Sequence, residues 1–205
     1  MLRSLIRDLG LWQKGDNLTP EEAGNLFGYL ALAAGISGII LIGLLIASKK
    51  STPIALKIAE LRLEHSREAL FLAGFVALFA MMASLYLSEI AHFLPCKLCW
   101  YQRIIMYPLA FLLTFGAFRN DFGIKPYGLA MAGFGAFVSI YHYQLQMNPE
   151  QHSPFCSAFE SCTVQYLNVF DFMSIPLMAL MGFIFIFSLL LFAEPVTEEV
   201  SDSEE

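Results

Sequence analysis

Five stretches of the chain are almost purely apolar, and polar segments of very unequal length separate them. The apolar runs cover residues 23–47, 69–88, 104–118, 127–143 and 172–193. The first is ample for a hydrocarbon layer of about 30 Å, and the pattern predicts an all-α protein with five membrane-crossing helices. Thr19-Pro20-Glu21-Glu22 carries a helix-start signature ahead of the first run: a threonine cap, proline at the first helical position and acids in the first turn. Upstream, Leu2, Leu5, Ile6, Leu9 and Trp12 recur at helical spacing among Arg3, Asp8 and Lys14, so residues 1–22 are expected to hold a short interfacial helix, a frayed terminus being the alternative. Residues 48–68 form a polar, partly amphipathic connector with Lys49, Lys50, Lys57, Arg62 and Arg67.

Composition agrees with a membrane protein: of 205 residues 57% are hydrophobic and 15% charged, and the mean hydropathy is +0.61. The formal charge of -6 is local, because Glu194, Glu198, Glu199, Asp202, Glu204 and Glu205 crowd residues 194–205, an acidic tail expected to be disordered. The remainder is close to neutral, which argues against nucleic acid and other strongly charged partners. The apolar run at residues 23–47 follows polar or mixed sequence and is expected to act as its own insertion signal.

The basic connector fixes an orientation. With residues 48–68 on the cytoplasmic side, the loops at 89–103 and 144–171 both face outward. These two loops hold all four cysteines, as Cys96 with Cys99 and Cys156 with Cys162. Reversible disulfides persist on that side of the membrane and not on the other. A re-entrant first segment would alter only the placement of the N-terminus.

The motif Pro95-Cys96-Lys97-Leu98-Cys99-Trp100-Tyr101-Gln102-Arg103 carries the densest chemistry. Two thiols separated by two residues can close a disulfide across the first turn of a helix, where free amide groups and the dipole favour the thiolate. Arg103 follows Cys99 by one helical turn and shares its face. Two cysteine pairs permit an electron relay by thiol–disulfide exchange, with the pair in the long loop meeting a soluble partner. Since no nucleotide-binding motif is present, a lipid-soluble quinone is the economical acceptor, with Cys99 supplying the thiolate and Arg103 the cation. A structural zinc site built from all four cysteines is the competing reading.

The CxxC motif continues into Ile104-Ile105-Met106-Tyr107-Pro108-Leu109, and Ser139-Ile140-Tyr141-His142-Tyr143 and Ile175-Pro176-Leu177 flank the second pair. Together these residues resemble the DsbB/BdbC family of membrane thiol oxidases. The resemblance implies a four-helix bundle over residues 69–193, to which residues 23–47 add an N-terminal transmembrane helix as in the DsbI-like branch. It also implies catalytic Cys96, Cys99, Cys156 and Cys162. Cys156 would be attacked by a DsbA-like thioredoxin-fold partner, Cys162 would pass the electrons to Cys96, and Cys99 would face ubiquinone or menaquinone beside Arg103. His142 is the second candidate at the quinone, as a hydrogen-bonding ring that titrates near neutral pH. The implied location is a bacterial cytoplasmic membrane, with both cysteine pairs on its periplasmic or extracellular face. A vitamin K epoxide reductase-like enzyme is a further alternative, disfavoured because there the CxxC comes after the loop pair. His92 is expected at the surface, and Trp100, Tyr101 and Tyr107 in an outer aromatic belt.

Overall fold

The computed structural model describes residues 19–151, 153, 155, 156 and 162–194. The interfacial helix expected near the N-terminus and the acidic tail beyond Glu194 lie outside the described residues. Among the described residues there are five long helices: α1 Pro20–Ser48, α2 Thr52–Leu85, α3 Lys97–Arg119, α4 Lys125–Met147 and α5 Ile175–Phe192. A π-helical turn, Tyr86–Ile90, extends α2, and a short 3-10 turn, Phe122–Ile124, leads into α4. Among the described residues extended pairing is limited to one isolated bridge between Val169 and Met173.

The start of α1 follows its sequence closely. Thr19 caps the helix through its side chain, which accepts from the Glu22 amide at 3.2 Å, while the Glu22 carboxylate accepts from the Thr19 amide at 2.9 Å. This reciprocal arrangement satisfies two of the amide groups that every helix start leaves open. The polar connector is not a loop for most of its length. From Thr52 it is already α2, with Pro53 in the first turn and the chain helical through Leu85.

Helices α2 to α5 enclose one apolar core, in which Leu70, Ala73 and Ala77 of α2 meet Leu109 and Leu113 of α3, Ala132 of α4 and Phe183 and Leu190 of α5. Small residues let the helices approach: a Cβ on Gly135 would strike the Phe183 ring, and one on Gly38 of α1 would come within 2.9 Å of the Phe185 backbone on α5. α1 packs chiefly along α5, outside the ring of four. At the opposite end from the cysteines, Arg62 pairs with Glu194 at 2.6 Å and donates to the Leu191 carbonyl, and the Glu194 amide donates to Ser66 Oγ. The first acid of the tail thus clasps the end of α5 to α2.

Four helices, Pro20–Ser48, Thr52–Ile90, Lys97–Arg119 and Ile175–Phe192, are long and apolar enough to cross a membrane. α4 matches them in length, with 23 residues, but not in apolarity. The fourth expected span, 127–143, is therefore not among them. The physical reason is the polar content of its second half, with Ser139, His142 and Gln146 buried on one face and Gln144 exposed.

Candidate functional site

Cys96 sits at the N-cap of α3, with extended backbone (φ -73, ψ 173), and its sulfur accepts from the Cys99 amide at 3.4 Å. Proline at 95 and the cap at 96 thus set the CxxC across the first turn, where a sulfur replaces the usual capping oxygen. The two sulfurs stand 3.1 Å apart, Cys96 buried and Cys99 half-buried. The Cys99 thiol, aimed at Cys96, is the main cause that holds the Cys96 thiol well below its ordinary range. Burial opposes this, while His142 and the Cys99 amide act in the same direction.

The second pair is closed as a Cys156–Cys162 disulfide. The long loop folds back so that Cys162, 2% exposed, joins Cys96, Leu98 and Leu145 in one apolar cluster, with Cys99, Tyr141 and Cys156 packed against it. All four cysteines therefore meet at one end of the bundle. The disulfide removes two of the four thiols that a four-cysteine zinc site would need. Cys96, Cys99 and His142 still place their ligand atoms within 4.8 Å of one another.

His142 of α4 stands between the two pairs. Its Nε2 lies 3.5 Å from Cys96 Sγ and 3.2 Å from the Cys162 carbonyl oxygen, and the residue is 1% exposed. A carbonyl only accepts, so this contact requires the proton on Nε2. Nδ1 is buried without a hydrogen-bond partner among the described residues, as is Oε1 of Gln146. Both residues line a cavity of about 20 Å³ together with Cys96, Cys99 and Tyr166, room for about one water.

Arg103 turns toward α2. Its Nε donates to Ser84 Oγ at 3.0 Å and its Nη2 to the Ser84 carbonyl at 2.8 Å, while the guanidinium lies 5.3 Å from the Trp100 ring centre. Tyr107 donates to the same Ser84 hydroxyl. Ser84 closely precedes the π-helical turn, an irregularity often found beside functional residues. Trp100 and Tyr101 are exposed, as expected of an interfacial belt, and His92 is exposed at a left-handed turn, φ 57.

Two residues of the site have no expectation in the sequence reading. Gln102, buried on α3, donates to Ser139 Oγ on α4 at 2.9 Å, and Gln146 donates to the Val164 carbonyl just beyond Cys162. The signal that finds them is the polar spacing 139, 142, 146, which lies on one face of an otherwise apolar helix.

Comparison with known proteins bears on the same region. The profile of a protein family described as "Disulfide bond formation protein DsbB" matches residues 66–193. The chain is 49% identical over 119 residues to "Disulfide bond formation protein C" of Bacillus subtilis (strain 168), covering 57% of this chain and 86% of that protein. It is 46% identical over 122 residues to the "Probable disulfide formation protein C" of Halalkalibacterium halodurans, covering 58% and 88%. It is 41% identical over 128 residues to the "Probable disulfide formation protein" of Oceanobacillus iheyensis, covering 62% and 88%. No solved structure matches the chain. The matched residues hold all four cysteines, Arg103 and His142, and leave α1 outside.

Proposed function

The chain belongs to the DsbB family of disulfide bond formation proteins, and from that premise we propose a quinone-dependent thiol oxidase that recharges a soluble, DsbA-like thioredoxin-fold disulfide donor. It is a multi-pass membrane protein of disulfide formation; the reading places it in a bacterial cytoplasmic membrane with both cysteine pairs on the periplasmic or extracellular face. α4 crosses beside the four more apolar helices, because its polar face is buried against α3 and α5 rather than turned to lipid.

The observation that carries the reading is the position of His142, within 3.5 Å of the Cys96 sulfur and 3.2 Å of the Cys162 carbonyl. One imidazole thus spans the interval across which electrons must pass. In the proposed relay the donor's thiolate attacks Cys156, displacing Cys162, and the donor leaves oxidised once its second thiol resolves the mixed disulfide. The Cys162 thiolate then attacks Cys96 and releases Cys99 as a thiolate. Attack of Cys156 on Cys162 restores the loop disulfide and leaves Cys96 and Cys99 as a dithiol that holds the two electrons. In that dithiol the cap position, the Cys99 amide and His142 favour charge on Cys96. While Cys96 is bonded to Cys162, the charge falls to Cys99, one turn from Arg103.

The residues around Cys99 fit a quinone, ubiquinone or menaquinone. The cavity of about 20 Å³ is too small for the ring. The other flank of Cys99 offers the exposed faces of Trp100 and Ile104 and a guanidinium with five N–H groups, two of them spent on Ser84. When bound, a quinone supplies a two-electron, two-proton acceptor. Arg103 would hold its carbonyl oxygen; His142, on the side of the loop pair, contacts the Cys96 sulfur and the Cys162 carbonyl instead.

An anaerobic mixture of the detergent-solubilised protein, a reduced DsbA-like dithiol and quinone tests this. Quinone absorbance should fall with the wild type and hold steady with Cys99→Ser. Stoichiometric metal in the purified reduced protein, with no loss of quinone absorbance, would return the cysteines to a structural role.

A further inference from the structure

α1 lies outside the residues shared with the family, and its packing gives it a specific task. Gly35 meets Met181 and Gly38 meets Phe185, so α1 runs parallel to α5 with Tyr29 level with the first residue of α5, Ile175. Residues 20–28 therefore project past α5, by about 13 Å at 1.5 Å per residue. They do not project into open space. A Cβ on Gly24 would come within 2.6 Å of the Leu167 side chain, and one on Gly28 within 3.1 Å of Val169. At the base of the overhang the Tyr29 ring packs edge-on against Phe170, centroids 4.9 Å apart, and Leu32 packs against the cluster of Val169, Met173 and Leu177.

These contacts all fall on the arm of the outer loop that returns from Cys162 to α5. The arm is pinned at its far end by the Val169–Met173 bridge, and Leu167, Val169 and Met173 are buried. Nearer to Cys162 the arm is held without α1, by the Gln146–Val164 hydrogen bond and the stacking of Tyr166 on Phe93, and the overhang adds the contacts at Leu167 and Val169 that fix the rest of it.

We infer that the overhang of α1 is a positioning brace for the relay: it holds the return arm of the loop so that Cys162 stays over Cys96 and His142, leaving the Cys156 side to meet the donor. The inference rests on the relay reading above. Releasing the contacts at Leu167 and Val169 lets the arm reach more positions and lowers the local concentration of Cys162 at Cys96, so transfer between the pairs should slow.

The test starts from full-length protein with both pairs oxidised. One equivalent of a small dithiol is added anaerobically, and samples are acid-quenched, alkylated and read by mass spectrometry for thiols at 156/162 and at 96/99. The Gly24→Leu/Gly28→Leu variant should reduce its loop pair at the wild-type rate but deliver thiols to Cys96 and Cys99 more slowly. Gly43→Leu, on the same helix where an added Cβ meets nothing within 4 Å, should match the wild type. General destabilisation would move both rates, and a brace moves only the second. Should the glycine variant fail to fold, Leu167→Ala/Val169→Ala loosens the same contact from the other side with the same expectation. Equal transfer rates in wild type and variant would overturn the brace alone. Absence of any transfer in the wild type would refute the relay, and the brace with it.

Discussion

Replacing His142 with alanine removes a side chain with polar contacts to both cysteine pairs, and its effect on the redox balance can be worked out. In the reduced CxxC the Cys96 thiolate is favoured by its neighbours, His142 Nε2 at 3.5 Å among them. A hydrogen bond to a charged group contributes about 1.5–3 kcal/mol. Its loss raises the Cys96 thiol toward its ordinary range and destabilises the dithiol against the disulfide. For a two-electron couple about 1.4 kcal/mol corresponds to 30 mV, so the Cys96–Cys99 potential should fall by roughly 30–60 mV. The pair becomes a weaker oxidant of the loop cysteines. The sign with pH follows from the depressed thiol: the stabilisation is fully present above the ordinary thiol range and disappears as pH falls through the lowered value for Cys96. Equilibration with graded thiol–disulfide buffers, followed by alkylation and peptide mass spectrometry, gives the potential of each pair. The gap between variant and wild type should be wide at pH 8 and narrow as the buffer is made acidic. A potential that stays put or rises on substitution, or a gap independent of pH, would refute the assignment of His142 as a stabiliser of the Cys96 thiolate.

Arg103→Lys keeps the charge but cannot reproduce the paired contacts with the Ser84 hydroxyl and carbonyl. Quinone reduction should fall roughly tenfold, the equivalent of about 1.4 kcal/mol, while transfer between the cysteine pairs keeps its rate; quinone absorbance and alkylation read the two separately. Gln102→Leu deletes the buried tie to Ser139, whose hydroxyl still donates to the Gly135 carbonyl. Because Ser139 keeps a partner, the cost should be modest, about 1 kcal/mol, measured as a small drop in the thermal midpoint of the detergent-solubilised protein.

The helices were largely legible in the chain because an apolar run in a membrane has few alternatives to helix. The start of α1 was legible to the residue, since Thr19, Pro20 and Glu22 each solve a local hydrogen-bonding problem. Polarity misleads at residues 48–68, where Lys49, Lys50 and Lys57 suggest a loop. No proline intervenes between Pro53 and Leu85, so the amphipathic stretch simply continues into the membrane segment. The pairing of His142 with Cys96 and Cys162 was not legible, because three segments far apart in sequence converge there and no local spacing encodes which helices adjoin. The same holds for Gln102, whose partner Ser139 lies on another helix.

α4 joins these observations. Its lower apolarity and its place in the site have one cause, because Ser139, His142 and Gln146 each have a polar contact inside the protein: Gln102, the cysteine pairs and the Val164 carbonyl. A polar group held within a bundle by such a partner avoids most of the penalty it would meet in lipid. A hydropathy window cannot register this, since it scores side chains as if each faced hydrocarbon. The helix that reads as the weakest span is therefore the one whose polar face has been turned inward, between the Cys96–Cys99 dithiol and the Cys156–Cys162 disulfide. A search for membrane thiol oxidases that discards weak spans would discard the element that makes the relay contiguous.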